Sequence, residues 1–219
     1  MSNARANEMV RKLTESGGLL DYGPDLSRLL LQVVRSLANG RPVTGEQVDQ
    51  IVADLGIARD EADQFLRGIS ERDADNSIVG IMGLSLNDHP HRFDVNGTRM
   101  RTWCAEDALY LPAMLKQTAT VESESPLSKE KVRLTVSPER VEEVSPAGAV
   151  VSMVIVDPDK ADMSSAQAIW GTFCHHIFFF ASREEAEQWA AGRDDIEILS
   201  MDEGLELGKR FWSNVLPYA

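Results

Sequence analysis

The sequence predicts an α+β fold: an N-terminal winged-helix-like helical module followed by a largely antiparallel sheet core with helices. Three observations predict it. Apolar residues recur at helical spacing through three short segments before residue 70, two alternating segments then flank polar turns, and β-branched runs interleave with capped helices beyond residue 118. The 219 residues, 43% of them hydrophobic, suffice to bury a sizeable core.

The elements follow in order. Residues 1–24 are expected to be an N-terminal extension. In "PDLSRLLLQVVRSLA", Leu26, Leu29, Leu30, Val33, Val34 and Leu37 line one helical face before the turn at "NGRP". Thr44 caps a second helix with Gln47 three residues on, Val48, Ile51, Val52 and Leu55 form its apolar stripe, and Gly56 ends it. A third helix is expected from Ala58 to Ile69. "SIVGIMGLSL" and "HRFDVNGTRMRTW", the second holding an Asn-Gly turn, read as strands that complete a module over 25–100. The remainder, 101–219, is expected to be the core that carries the chemistry. It has a helix near Cys104, strands within 118–136 around the polar loop "SESPLSKEK", and a central strand in "GAVVSMVIVD". "TFCHHIFFFAS" reads as a strand, followed by a helix capped by Ser182 and Glu185, a short strand at "IEILS" and a closing helix over 202–216.

Charge excludes some functions. A net charge of −13 opposes general binding to nucleic acid or an anionic membrane, and the third helix sets Asp60, Glu61 and Asp63 against Arg59 and Arg67. The apolar stretches at 149–156 and 177–181 fall short of the roughly 20 residues a spanning helix needs. "MSNARANEMVRKLTESGG" lacks the apolar segment of a secretory signal, so a cytoplasmic protein is expected, with its two cysteines kept as thiols.

Those thiols are the candidate chemistry. Placed in the first turn of a helix, Cys104 would feel free backbone N–H groups that favour thiolate, while Asp107, three residues on and on the same face, would oppose them. Two readings of the spacing stay open: a sulfur and a carboxylate sharing a proton, or a small buried hydrophobe beside an ordinary first-turn acid. On a strand, Cys174 and His176 would share one face, with His175 on the other. Their spacing fits no zinc finger. His89 and His91, flanking a proline, are expected in a solvated turn, and Phe178 to Phe180 in the core.

"LLLQVVRSLANGRPVTGEQV", "RTWCAEDALYLPAML", "RLTVSPERVEEVSPAGAVVSMV" and "TFCHHIFFFASREEAEQWA" together resemble the organomercurial lyases, also called alkylmercury lyases, from about residue 25 to 213. A W-C-x-x-D stretch, an L-T-V-S-P stretch and an F-C-x-H stretch occur in that order, with both cysteines on the family's catalytic positions. The resemblance implies protonolysis of a carbon–mercury bond to a hydrocarbon and Hg(II), as a step in mercury detoxification. Cys104 and Cys174 would be the mercury ligands, Asp107 the acid-base residue and a third contact for the metal. It implies no cofactor beyond external thiols as mercury acceptors, an organomercurial and Hg(II) as partners, and a mercuric reductase to receive the product. Ser125 stands where some relatives carry another cysteine, and His175 where some have a second one. Soft thiolates suit a soft cation, and the leaving carbon needs a proton as its bond breaks. Burial against Trp103, Phe173 and Leu111 would raise the pKa of Asp107. The alternative is a mercury-binding or sensing protein that holds the metal without cleavage, for which two sulfurs suffice.

The acidic helix generates a direct test. Titration of a labelled DNA duplex at low salt, where electrostatic binding is strongest, is expected to show no sub-micromolar binding.

Overall fold

The computed structural model describes residues 4–219. Its elements begin with helix α1 (Ala4–Thr14), whose Ala6, Met9, Val10 and Leu13 are buried. Helix α2 (Gly23–Leu37) buries Leu29, Leu30, Val33, Val34 and Leu37 of the expected stripe, with Leu31 in addition, while Leu26 is only half-buried. In α3 (Gly45–Leu55), Thr44 and Gln47 form the predicted capping box, and Gly56 closes the helix at φ 68°. Helix α4 (Arg59–Ile69) follows one residue later than its predicted start.

Strands β1 (Ser70–Arg72), β2 (Ile78–Ile81) and β3 (Leu84–Ser85) lead to the hairpin of β4 (His91–Val95) and β5 (Thr98–Thr102). Asn96 and Gly97 both take positive φ in its turn, which matches the twist of the paired strands. After α5 (Ala105–Leu115) come β6 (Ala119–Glu124), β7 (Lys131–Val136) and β8 (Val141–Ser145). These strands form an eight-stranded antiparallel sheet in the order β1-β2-β3-β5-β4-β6-β7-β8, which runs unbroken through residue 100. In β6 and β7 buried and exposed side chains alternate, as expected for a sheet with one solvated face.

The second sheet is smaller. Strand β9 (Val150–Val154), buried along its whole length, lies between β10 (Phe179–Phe180) and β11 (Ile196–Ser200), both antiparallel to it. Helices α6 (Ala166–Thr172), α7 (Arg183–Trp189) and α8 (Met201–Phe211) complete the chain's α elements. One apolar cluster runs from Ala6 to Val215, joining the N-terminal helices to both sheets. No helix among the described residues is long and apolar enough to cross a membrane.

Helix α5 sits at the centre. All eleven of its residues are buried, against α2, α8 and strands of both sheets. A helix with no solvated face must be apolar nearly all round. Its two carboxylates, Glu106 and Asp107, are therefore conspicuous.

Two expected elements differ. "TFCHHIFFFAS" is not a continuous strand: Cys174–His176 forms a 3-10 turn and only Phe179 and Phe180 pair in the sheet. Ser152 of β9 accounts for the break, because its hydroxyl donates to the His176 carbonyl at 2.9 Å and accepts from the Phe178 amide at 2.9 Å, replacing ladder bonds. The closing helix ends at Phe211 instead of 216. There Asn214 donates to the Thr14 carbonyl at 2.7 Å, which draws the chain back onto α1.

The turn between β2 and β3 packs directly on the start of α5. Gly83, at φ +93°, would place an added Cβ 2.4 Å from the Asp107 carboxyl carbon. Gly83→Ala combines a disfavoured backbone angle with this collision, so it should cost about 1–3 kcal/mol or more of stability. A thermal melt read by circular dichroism checks this, and the midpoint is expected to fall.

Candidate active site

Strand β5 ends at Thr102, whose hydroxyl donates to the Cys104 carbonyl at 2.8 Å, while the Trp103 amide donates to Gly83 O at 2.9 Å. These bonds fix the junction from which α5 starts. Cys104 is the residue that caps this helix, with extended φ −140° and ψ 176°, so it stands one position ahead of the first turn in which it was expected. Its backbone N–H donates to Asp107 Oδ2 at 2.7 Å, and the Asp107 amide faces its sulfur in return. That is a capping box with cysteine in the usual place of serine or threonine.

Cys174 arrives from the other sheet. Its 3-10 turn is held by Ser152, and the Ala105 amide donates to Ile177 O at 3.3 Å, tying the turn to the start of α5. The two sulfurs and an Asp107 oxygen come within 4.8 Å of one another, all three residues buried. Residues 70 positions apart in the chain, Cys104 and Cys174, thus share one side of a cavity of about 80 Å³.

The cavity is strongly apolar. Trp103 and Phe173 line it as the sequence suggested, joined by Leu13, Met153, Ile169 and Trp212 from four further segments. Leu111 does not line it: this residue is fully buried elsewhere in the core. A helix enclosed on every side offers several apolar contacts, so spacing from Asp107 could not say which face the cavity takes. Tyr110 of the same helix lines it instead. Its hydroxyl lies 2.9 Å from both Asp107 Oδ1 and the Met82 carbonyl. The indole of Trp103 donates to the Glu71 carboxylate, which also accepts from Asn87 at 2.6 Å and approaches His89 Nε2 at 3.2 Å. Those bonds outweigh burial and keep the Glu71 pKa below the usual carboxylate range.

Burial dominates the electrostatics at the centre. It pushes the Cys104 pKa well above the usual thiol value, reinforced by a hydrogen bond to Cys174 and the Asp107 charge, against a smaller opposing pull from the helix amide. For Cys174, the hydrogen bond from the Cys104 thiol favours thiolate, but burial and Asp107 together leave its pKa raised. Burial also raises Asp107, offset in part by hydrogen bonds from Tyr110 and Cys104. The opposition of helix and carboxylate anticipated from spacing is thus decided by desolvation. Two thiols and an acid, all with raised pKa values, are an arrangement able to capture a soft metal and to move protons.

Other candidates fall away from the centre. His175 is exposed, and His176 lies 3.1 Å from Arg193. Ser125 is fully buried but does not line the cavity. His89 does lie in the connection between β3 and β4, half-buried against Glu71, but His91 is not in a solvated turn. His91 is 1% exposed on β4 with Nδ1 2.7 Å from Ser123 Oγ, and burial lowers its pKa to about 3. Position 91 alternates inward with Phe93 and Val95, a strand pattern that the proline obscured. Sequence reasoning missed Tyr110, which the i, i+3 spacing from Asp107 could have indicated, and Glu106, whose burial no local signal announces.

Comparison with known proteins agrees with this geometry. The family described as MerB, alkylmercury lyase, matches residues 84–213. A protein named alkylmercury lyase from Pseudomonas putida is 33% identical over 204 residues, covering 90% of this chain and 89% of that protein. One of the same name from Streptomyces lividans is 36% identical over 216 residues, 94% of this chain and 92% of that protein. The solved structure of the mercury-bound form of MerB2 superposes with a TM-score of 0.73 at 22% identity, over 97% of this chain and 100% of that one, a likeness of fold. With a family match across more than half its length and relatives above 30% identity along nearly all of it, the chain belongs to the alkylmercury lyase family.

Proposed function

We propose that the protein cleaves carbon–mercury bonds by protonolysis, releasing a hydrocarbon and Hg(II) in mercury detoxification. The observation that carries this reading is the convergence of Cys104, Cys174 and Asp107 within 4.8 Å at an apolar cavity. A sponge for mercury needs two sulfurs. It has no use for a carboxyl buried beside them with its pKa raised.

The chemistry follows from the proton inventory. Cys174 receives a hydrogen bond from the Cys104 thiol, so it is the sulfur better able to lose its proton first. Its thiolate attacks the mercury of R–Hg–S–R′ and displaces the carrier thiolate, which takes up the Cys174 proton and leaves as the thiol R′–SH. Cys104 then adds to mercury as its proton passes to the Asp107 carboxylate, which already bonds the Cys104 amide at 2.7 Å. A second sulfur donates charge to the metal and weakens its bond to carbon. Asp107 delivers the proton to that carbon, the electron pair of the broken bond becomes the new C–H bond, and R–H departs. Hg(II) stays on two thiolates, within reach of Asp107 as a third contact.

Tyr110 suits an acid that must change state. When Asp107 is ionised, the hydroxyl can donate to Oδ1; when it is protonated, the hydroxyl can donate to Met82 O and accept from the carboxyl. The apolar walls exclude water, which would otherwise compete for the metal and the proton. The reaction requires no organic cofactor and no resident metal. External thiols strip Hg(II) from the dithiolate, and a mercuric reductase in the same cytoplasm is the natural acceptor.

The direct test is to incubate the protein with phenylmercury and excess thiol and to assay benzene. In D₂O the benzene should carry deuterium at the carbon that held mercury, because thiol and carboxyl protons exchange with solvent. Asp107→Asn leaves both sulfurs in place, so mass spectrometry should find mercury bound with its organic group attached. Hydrocarbon release should fall about 10²- to 10⁴-fold, the usual worth of general acid-base catalysis. Release at the parent rate would sink the role of Asp107. Cys104→Ser and Cys174→Ser should each abolish turnover while thermal melts shift by no more than about 1–3 kcal/mol. Because both thiol pKa values are raised and capture needs thiolate, kcat/KM should climb as pH rises through the alkaline range. A profile that falls there would contradict thiolate attack.

A further inference from the structure

Glu106 is the buried acid that the mechanism does not use. It occupies the second position of α5, one residue before Asp107, and lines the same cavity as Cys104 and Cys174. The residue is 4% exposed, yet neither Oε1 nor Oε2 accepts a well-formed hydrogen bond, the Gly208 backbone being the polar group that comes near. Leaving a buried polar group unpartnered is costly, so the absence of a partner within the fold calls for one from outside it.

The fold makes room for this carboxyl. Two glycines one turn apart on α8 face it: a Cβ at Gly208 would lie 2.4 Å from Oε1, and one at Gly204 would lie 3.6 Å from Oε2. Gly208 would also bring that Cβ within 3.1 Å of Tyr110 Cβ. The carboxyl is therefore received in a recess of α8, and larger residues there would displace it. Nearby polar atoms are already engaged, since the Asp107 oxygens bond the Cys104 amide and the Tyr110 hydroxyl. The rest of the surrounding wall, including Leu13, Met153, Phe211 and Trp212, is apolar. The Glu106 carboxyl is the unpaired polar group beside this wall, its oxygens shielded from solvent in the α8 recess.

We propose that Glu106 is a specificity-determining residue that selects organomercurials whose organic group carries a hydroxyl, through a hydrogen bond to its carboxyl. This rests on the lyase reading and adds the class of organic group. A hydroxyl fits either state of the acid, because it donates to a carboxylate and accepts from a carboxylic acid. An ammonium group would have to give up its water in an apolar enclosure, which disfavours it. Sites built to bond a substrate hydroxyl discriminate strongly against the analogue that lacks it, because the protein group is then left unpaired.

The test compares isosteric pairs at two lengths: 3-hydroxypropylmercury with n-butylmercury, and 4-(hydroxymethyl)phenylmercury with 4-ethylphenylmercury. The quantity read is the hydroxyl-to-alkyl ratio of kcat/KM, measured for the parent, Glu106→Leu and Glu106→Gln. For at least one pair the parent ratio should exceed that of Glu106→Leu by about 10-fold or more, with Glu106→Gln in between. Thermal melts accompany the kinetics, and Glu106→Leu should melt no lower than the parent, since it removes an unpartnered buried acid. Equal ratios in parent and Glu106→Leu, or a marked fall in melting temperature, would overturn the assignment. Should no mercurial be cleaved, the lyase reading fails by itself. The same ratios are then taken from equilibrium binding, followed by quenching of tryptophan fluorescence, and decide the role of Glu106 separately.

Discussion

The bond from the Cys104 amide to the Asp107 carboxylate, 2.7 Å long, is the contact on which the site depends, because it does two jobs with one pair of residues. It satisfies a free N–H at the start of a helix buried on all sides, where water cannot substitute. It also sets an acid beside a sulfur at a fixed spacing. A helix cap built from serine and glutamate would serve the first purpose alone. Here the local rule for starting a helix and the need of the proposed protonolysis for an acid next to a sulfur are met by the same four residues.

Burying that cap has consequences in every direction. Desolvation raises the pKa of Cys104, Cys174 and Asp107 together, so each binds its proton more tightly than it would in solvent. The cost of enclosing three ionisable groups is met by the surrounding apolar cluster, which extends from α1 to the residues beyond α8. Met82, Gly83, Ser152 and Glu71 hold the walls at short range, each through a bond or close contact to α5, to Trp103 before it or to the Cys174 turn.

Much of the architecture could be read from periodicity and punctuation. The stripe in α2, the capping box at Thr44, the αL glycine after α3 and the Asn-Gly hairpin are local signals with local causes, and they appear where the sequence puts them. The segment around Cys174 misled because "CHHIFFF" has the composition of a strand. What interrupts it is Ser152, a residue from a different strand whose hydroxyl captures two backbone groups of the segment. His91 was misread for the complementary reason: a neighbouring proline signals a turn locally, while the burial of its side chain is set by the sheet stacked against it, with Phe179 5.7 Å away.

At the site, the sequence alone determined the pairing of Cys104 with Asp107, since residues three apart at a helix start must be neighbours, and resemblance supplied Cys174. Only the tertiary structure decided that Cys174 reaches the other two, that Tyr110 and not Leu111 attends the acid, and that Glu106 is an unpartnered carboxyl against α8. The difference is physical. Spacing along a helix fixes which side chains share a face, but burial, and with it the pKa of a thiol or the isolation of a carboxylate, depends on what arrives from elsewhere in the chain. Here that includes two glycines on α8 a hundred positions away, whose missing side chains leave the space that Glu106 occupies.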